Sequence, residues 1–117
     1  MSQSHQPASP EMQRCIETCL DCHRSCLQTA TMCLRHGGQH AAAQHITLLL
    51  DCAQICLTSA DFMLRQSSHH KHLCRECAEI CSQCAQECQR MAGGMPEMQQ
   101  CAEICRRCSE SCQKMAA

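Results

Sequence analysis

Cysteine recurs along this chain in alternating steps of four and three residues, and that rhythm restricts the fold more than any other feature. The first run is Cys15, Cys19, Cys22, Cys26 and, one heptad further, Cys33; a sparser run has only Cys52 and Cys56. A third is Cys74, Cys77, Cys81, Cys84 and Cys88, and a fourth is Cys101, Cys105, Cys108 and Cys112. Residues spaced this way share one face of an α-helix and occupy the inward a and d positions of a bundle. The chain has no valine and one aromatic residue, Phe62, which speaks against strands.

Punctuation between the runs sets the helix limits. Ser9-Pro10-Glu11 reads as a helix start, with serine as the cap and proline at the first helical position. Gly37-Gly38 stops that helix. A second helical stretch is predicted over about residues 40–66, and Ser67-Ser68 offers the cap for a third that ends near Ala92. Gly93-Gly94-Met95-Pro96 is another stop and restart, with a fourth helix from Pro96 to about Met115. The expected fold class is all-α: an antiparallel up-down-up-down four-helix bundle with a cysteine-lined core over 10–117, preceded by a flexible tail over 1–9.

Internal repeats divide the bundle into two hairpins. Residues 20–36 match 50–66 at 8 of 17 positions, and residues 77–93 match 101–117 at 10 of 17. In the first alignment Cys15, Cys19 and Cys33 face His45, Leu49 and Met63, so the second helix lacks thiols that its partner keeps.

Composition shows why the thiols must be the interior. Ile, Leu, Val and Phe together number 15 of 117 residues, too few for an ordinary aliphatic core, while cysteine alone supplies 16. A formal charge of −1 removes the self-repulsion that accompanies disorder and the basic excess that marks a nucleic-acid binder. No run of about 18 apolar residues is present, so no membrane span is expected. The opening MSQSHQPASPE has no cationic start, apolar run or twin arginine, which points to the cytoplasm. Thiols stay reduced there, so dense cysteine favours metal over disulfides.

Spacing and charge narrow the metal. Seven Cys-x3-Cys pairs occur, at 15/19, 22/26, 52/56, 77/81, 84/88, 101/105 and 108/112. Helical residues four apart have Cβ atoms about 5–6 Å apart, too far for an unstrained disulfide. Two thiolates on one ion span roughly 4.5 Å when linear, which suits the spacing. A divalent ion with four thiolates leaves a site of charge about −2, and several of these are costly to bury. Monovalent Cu(I) that shares sulfurs leaves the core neutral, and soft ligands favour it. Sixteen thiols would hold 8 such ions with two private sulfurs each and about 16 if every sulfur bridges. Zinc or mixed-metal buffering and an iron–sulfur electron-transfer protein remain alternatives. A secreted disulfide scaffold, plain core packing and a copper-sensing helical repressor fit the spacing or the charge less well.

The segments CIETCLDCHRSC, LDCAQIC, CRECAEICSQCAQEC and CAEICRRCSESCQKMAA together resemble the cytosolic four-helix-bundle copper storage proteins, over nearly the whole chain after Pro10. The resemblance implies a homotetramer of bundles, each filled with Cu(I) held mainly by thiolates, and an apo core that keeps its thiols reduced. One departure is RMAGGMPEM, methionine-rich where the family would have histidines.

Other soft donors extend the seam. Met12, Met63, Met91, Met98 and Met115 continue it beyond the thiols, and His36, His45 and His70 also fall on it. An antiparallel bundle gathers Cys33, His36, His45, Met91, Met95 and Met98 at one end and Met12, Met63, His70 and Met115 at the other. Neutral imidazole and thioether bind Cu(I) without adding charge, so the first end is expected to admit metal and the second to offer further ligands. His5, His23, His40, His69 and His72 are expected in solvent. No nucleophile–base pair suggests an enzyme. Ile16, Leu20, Leu27 and Leu34, repeated as Ile46, Leu50, Leu57 and Leu64, form an apolar stripe beside the seam, expected to serve contacts between subunits. Copper donor or acceptor proteins complete the expected partners; nucleic acid and membrane do not.

Overall fold

Ser9 begins the first helix as the Ser-Pro-Glu run predicts: its side-chain oxygen accepts from the Met12 amide at 3.1 Å. Pro10 fills the first turn, where its missing N–H costs nothing. In the computed structural model, which describes residues 8–117, helix α1 then runs Pro10–His36, α2 Ala43–Leu64, α3 His70–Met91 and α4 Pro96–Ala116. Among the described residues there is no strand. The tail expected over 1–9 falls on residues outside this description except for its last two. Ala8 accepts a hydrogen bond from the Gln13 side chain at 2.8 Å, and Ser9 is the cap just described.

The breaks lie where glycine and serine put them. Gly37 closes α1 at φ +80°, a left-handed conformation that suits glycine, and its amide donates to the Cys33 carbonyl at 3.1 Å. Residues 38–41 then make a single 3-10 turn, and α2 begins at Ala43. This corrects the expected start near His40: that residue sits in the connecting turn, and Ala42 in extended conformation separates the two elements. Ser67 receives the His69 amide on its hydroxyl at 3.1 Å and so organises the start of α3.

Each helix packs against two neighbours, α1 against α2 and α4, and α3 against α2 and α4, which closes a square ring of antiparallel helices. The seam faces its axis: all sixteen cysteines are fully buried. The residue following a seam position is often small. Ala53, Ala78, Ala102 and Ser109 are all buried at helix contacts, where a missing side chain lets backbones approach. Helices then bond across the gap: Ser109 Oγ donates to the Ala78 carbonyl at 2.8 Å and Ser59 Oγ to the Leu73 carbonyl at 3.2 Å. The sequence analysis singles out none of these serines and alanines.

The leucine stripe is only partly external. Leu27, Leu34, Leu50 and Leu64 are exposed, Leu20, Ile46 and Leu57 are half-buried, and Ile16 is buried within the bundle. These outer leucines, added to the inner seam, make α2 the one described helix long and apolar enough to cross a membrane by length and hydropathy. Its inward face nonetheless carries His45, Cys52 and Cys56, packed in the bundle axis.

Candidate metal centre

All the cysteines are free thiols, and all but Cys33 line up as a ladder. From the end near the chain termini, Cys15 meets Cys112 at 3.7 Å, and Cys112 meets Cys19 at 3.5 Å. Cys19 meets Cys108 at 3.7 Å, which meets Cys56 at 3.8 Å. Cys56 and Cys52 each lie 3.5 Å from Cys81. Cys22 continues the path at 3.9 Å from Cys52 and 3.7 Å from Cys105. Cys26 follows at 3.7 Å from Cys105 and 4.0 Å from Cys101. Cys88 stands beside Cys101 and Cys84. Three sulfurs around one ion at about 2.3 Å lie roughly 4 Å apart, so the sulfurs are already near ligand spacing.

Contacts between helices dominate this ladder. Of the Cys-x3-Cys pairs, 22/26 lies at 4.0 Å and 77/81 at 3.7 Å. Four groups of four sulfurs lie within 4.8 Å of one another: Cys19, Cys77, Cys108, Cys112; Cys22, Cys52, Cys56, Cys81; Cys22, Cys26, Cys52, Cys105; and Cys56, Cys77, Cys81, Cys108. Ten cysteines supply all four groups and six of them belong to two at once. Divalent ions needing private tetrahedral sites could therefore fill at most two groups together. Ions that share sulfurs can use every group.

Burial and proton sharing set the charge state of the thiols. Hydrogen bonds with Cys105 and Cys108 push Cys22 below the ordinary thiol range. Hydrogen bonding with Cys108 pushes Cys56 above it, and burial adds to the rise. Protons are thus divided among neighbours, and a metal ion that binds must displace them.

At the end where α1 and α3 finish, the donor set changes. Cys33 Sγ lies 3.5 Å from His45 Nε2 and 3.9 Å from Met98 Sδ. All three side chains are buried, with His45 only 2% exposed. The other ring nitrogen of His45, Nδ1, is buried without a hydrogen-bond partner. Burial lowers the His45 pKa below the ordinary histidine value and raises that of Cys33 above the ordinary thiol value. The pocket therefore holds a neutral imidazole, a protonated thiol and a thioether. Met91 and Met95 are half-buried at the same end.

The remaining donors sort differently from expectation. His36 is off the seam, exposed at the end of α1, with its ring edge-on to His40 at 4.7 Å. The C-terminal turn of α1 carries it past the bundle axis. His40, expected in solvent, is half-buried and bonds the Met91 carbonyl through Nε2 at 3.1 Å, tying the 3-10 turn to the end of α3. His23, also expected in solvent, is half-buried and bonds the Ala53 carbonyl through Nδ1 at 2.8 Å; the small Ala53 leaves that carbonyl reachable from α1. His69 and His72 are exposed as expected, and His5 lies outside the described residues. At the opposite end Cys74 Sγ lies 3.7 Å from Met63 Sδ, both buried, with Met115 also buried and Met12 half-buried. His70 there is half-buried and turns Nδ1 to the Ser67 carbonyl at 2.8 Å.

Comparison with known proteins follows the same lines. The family described as copper storage protein matches residues 8–117. Among solved structures, the protein Nmul_A1745 from Nitrosospira multiformis superposes with a TM-score of 0.85 at 44% identity, covering 91% of this chain and 94% of that one. The Cu(I)-bound copper storage protein BsCsp3 gives 0.85 at 36% identity, covering 92% and 99%; its apo form comes from Bacillus subtilis. A cytosolic copper storage protein from Streptomyces lividans, with five coppers, gives 0.82 at 33% identity, covering 91% and 92%. No curated protein sequence matches significantly.

Proposed function

The chain belongs to the copper storage protein family, and from that premise we propose that it stores Cu(I) in quantity in the cytoplasm, as a binding protein without catalytic chemistry. The observation that carries this reading is the ladder of fully buried free thiols, in which six of the ten sulfurs that make up the four-sulfur groups belong to two groups at once. Sharing is what a monovalent, thiophilic ion needs to approach one metal per sulfur with no net buried charge. All sixteen cysteines, Cys15 to Cys112, serve as ligands.

Copper enters at the end of Cys33, His45 and Met98. Met91 and Met95 act as outer thioethers and the exposed His36 as a first contact. Thioether and imidazole hold Cu(I) more weakly than thiolate, so an ion caught there moves inward by ligand exchange. At the other end Met63, Met115, Met12 and His70 supply terminal ligands around Cys74. The protein works as a homotetramer whose contacts use the exposed Leu27, Leu34, Leu50 and Leu64, and it exchanges metal with copper donor or acceptor proteins.

The deciding experiment is anaerobic titration of reduced protein with Cu(I) against a competing chelator. Tight uptake of about eight or more equivalents is expected, between the private-pair and shared-sulfur limits. Saturation at one to four, with zinc competing effectively, would replace storage by divalent-metal buffering.

A further inference from the structure

The donors of this core are unevenly joined. The ladder is continuous from Cys15 through Cys26 to Cys101. The mouth cluster is compact, with Cys33 in contact with His45 and Met98. Between the two the shared sulfurs run out: none of the four four-sulfur groups includes Cys33, and the inner cysteine whose charge bears on it is Cys101.

At this level the seam carries no thiol on two helices: Thr29 fills it on α1, buried beside Cys101, and Leu49 on α2. Leu49 is fully buried, four residues inward from His45 and three outward from Cys52 on the same face of α2. The hairpin repeat aligns it with Cys19, so a thiol stands at the equivalent position of α1. Leucine offers no lone pair, so on the α2 side the donor chain runs His45, blank, Cys52.

We propose that Leu49 is a partition in the storage core: an apolar step that separates the mouth cluster from the thiol ladder and limits the rate at which Cu(I) passes between them. This rests on the mouth reading above. With the α2 side blocked, an ion leaving Cys33 crosses to Cys101 on α4 and joins the ladder at Cys26 on α1 or, through Cys88 and Cys84, on α3. In that crossing copper stays Cu(I). A bond to the next sulfur forms as the outer Cu–S bond breaks, and the incoming thiol's proton passes to the sulfur left behind. The same step slows return, so the partition favours retention without adding affinity.

The test uses full-length reduced protein and one equivalent of Cu(I), delivered anaerobically as its acetonitrile complex and followed by thiolate-to-copper absorbance. Capture at the mouth is bimolecular and passage past Leu49 is first-order, so varying protein concentration separates them. Leu49→Met and Leu49→Ile both keep volume nearly constant, but only methionine supplies a donor; Leu49→Cys restores a thiol in register. The first-order phase should become several-fold faster in Leu49→Met and faster still in Leu49→Cys, and stay near the parent rate in Leu49→Ile, with the bimolecular phase unchanged throughout. Equal rates in the methionine and isoleucine variants, or a parent reaction with no first-order phase, would overturn the proposal. A bimolecular phase indifferent to Met91, Met95 and Met98 would instead relocate the mouth, a separate result read in the other phase.

Discussion

In the middle of the core every helix contributes thiols at successive turns, and α2 supplies Cys52 and Cys56 to three of the four four-sulfur groups. At the mouth the same face of the same helix reads His45 and Leu49. The surroundings are equally dry, since His45, Leu49, Cys52 and Cys56 are all buried. Burial therefore does not distinguish a storage zone from an access zone; the density of donors does. Where sulfurs are shared, an ion always has a neighbouring ligand within about 4 Å. Where imidazole, thioether and leucine replace thiols, binding is expected to weaken and transfer to slow.

The largest effect expected from breaking this contrast is on capacity. Replacing Cys22, Cys52, Cys56 and Cys81 with serine removes one complete group and impoverishes two others. Titration should then show a loss of more equivalents than sulfurs removed. Cys33→Ser at the mouth should cost about one equivalent. Equal losses per cysteine at both places would mean that sulfurs are not shared.

Rate is the next difference. Met91→Leu, Met95→Leu and Met98→Leu together should slow loading several-fold in stopped-flow measurements and leave capacity nearly unchanged, because leucine keeps the volume. If the same changes at Met12, Met63 and Met115 slow loading while these do not, the mouth lies at the opposite end.

Acid should separate the zones more gently. Cys33 is raised by burial and binds as a thiol that must lose its proton, so copper affinity at the mouth falls as pH falls. His45 is lowered by burial. The unfolded chain therefore takes up its proton first, and the His45 contribution to stability is full above the ordinary histidine value of about 6.5 and declines below it. Thermal unfolding of apo protein should lose less stability on acidification in His45→Gln than in the parent. An identical slope would show that His45 does not titrate with unfolding.

The smallest effect is structural and lies outside both zones. Ser109→Ala removes a buried hydroxyl from the Ala78 carbonyl, and apo stability should drop by about 1 kcal/mol in chemical denaturation with copper capacity unchanged. A loss of capacity would mean that the α3–α4 spacing set by this bond also sets the sulfur positions.

Much of this could be read from residue order. The step of four and three placed every cysteine on a buried face because helical periodicity leaves no other arrangement, and Ser9, Pro10 and Gly37 marked helix limits through local backbone chemistry that needs no partner. What periodicity could not rank was which donors meet. His36 and His45 share the seam pattern, yet one ends exposed and the other buried against Cys33, because α1 runs out where α2 begins. His23 and His40 looked like surface residues until a neighbouring helix brought a carbonyl within reach. The sequence also presents the thiols as pairs within helices, whereas each four-sulfur group joins three helices. Spacing along one helix is fixed by its own backbone, but the spacing between sulfurs on different helices depends on how closely they pack, and small residues such as Ala53, Ala78 and Ala102 decide that only when the bundle closes.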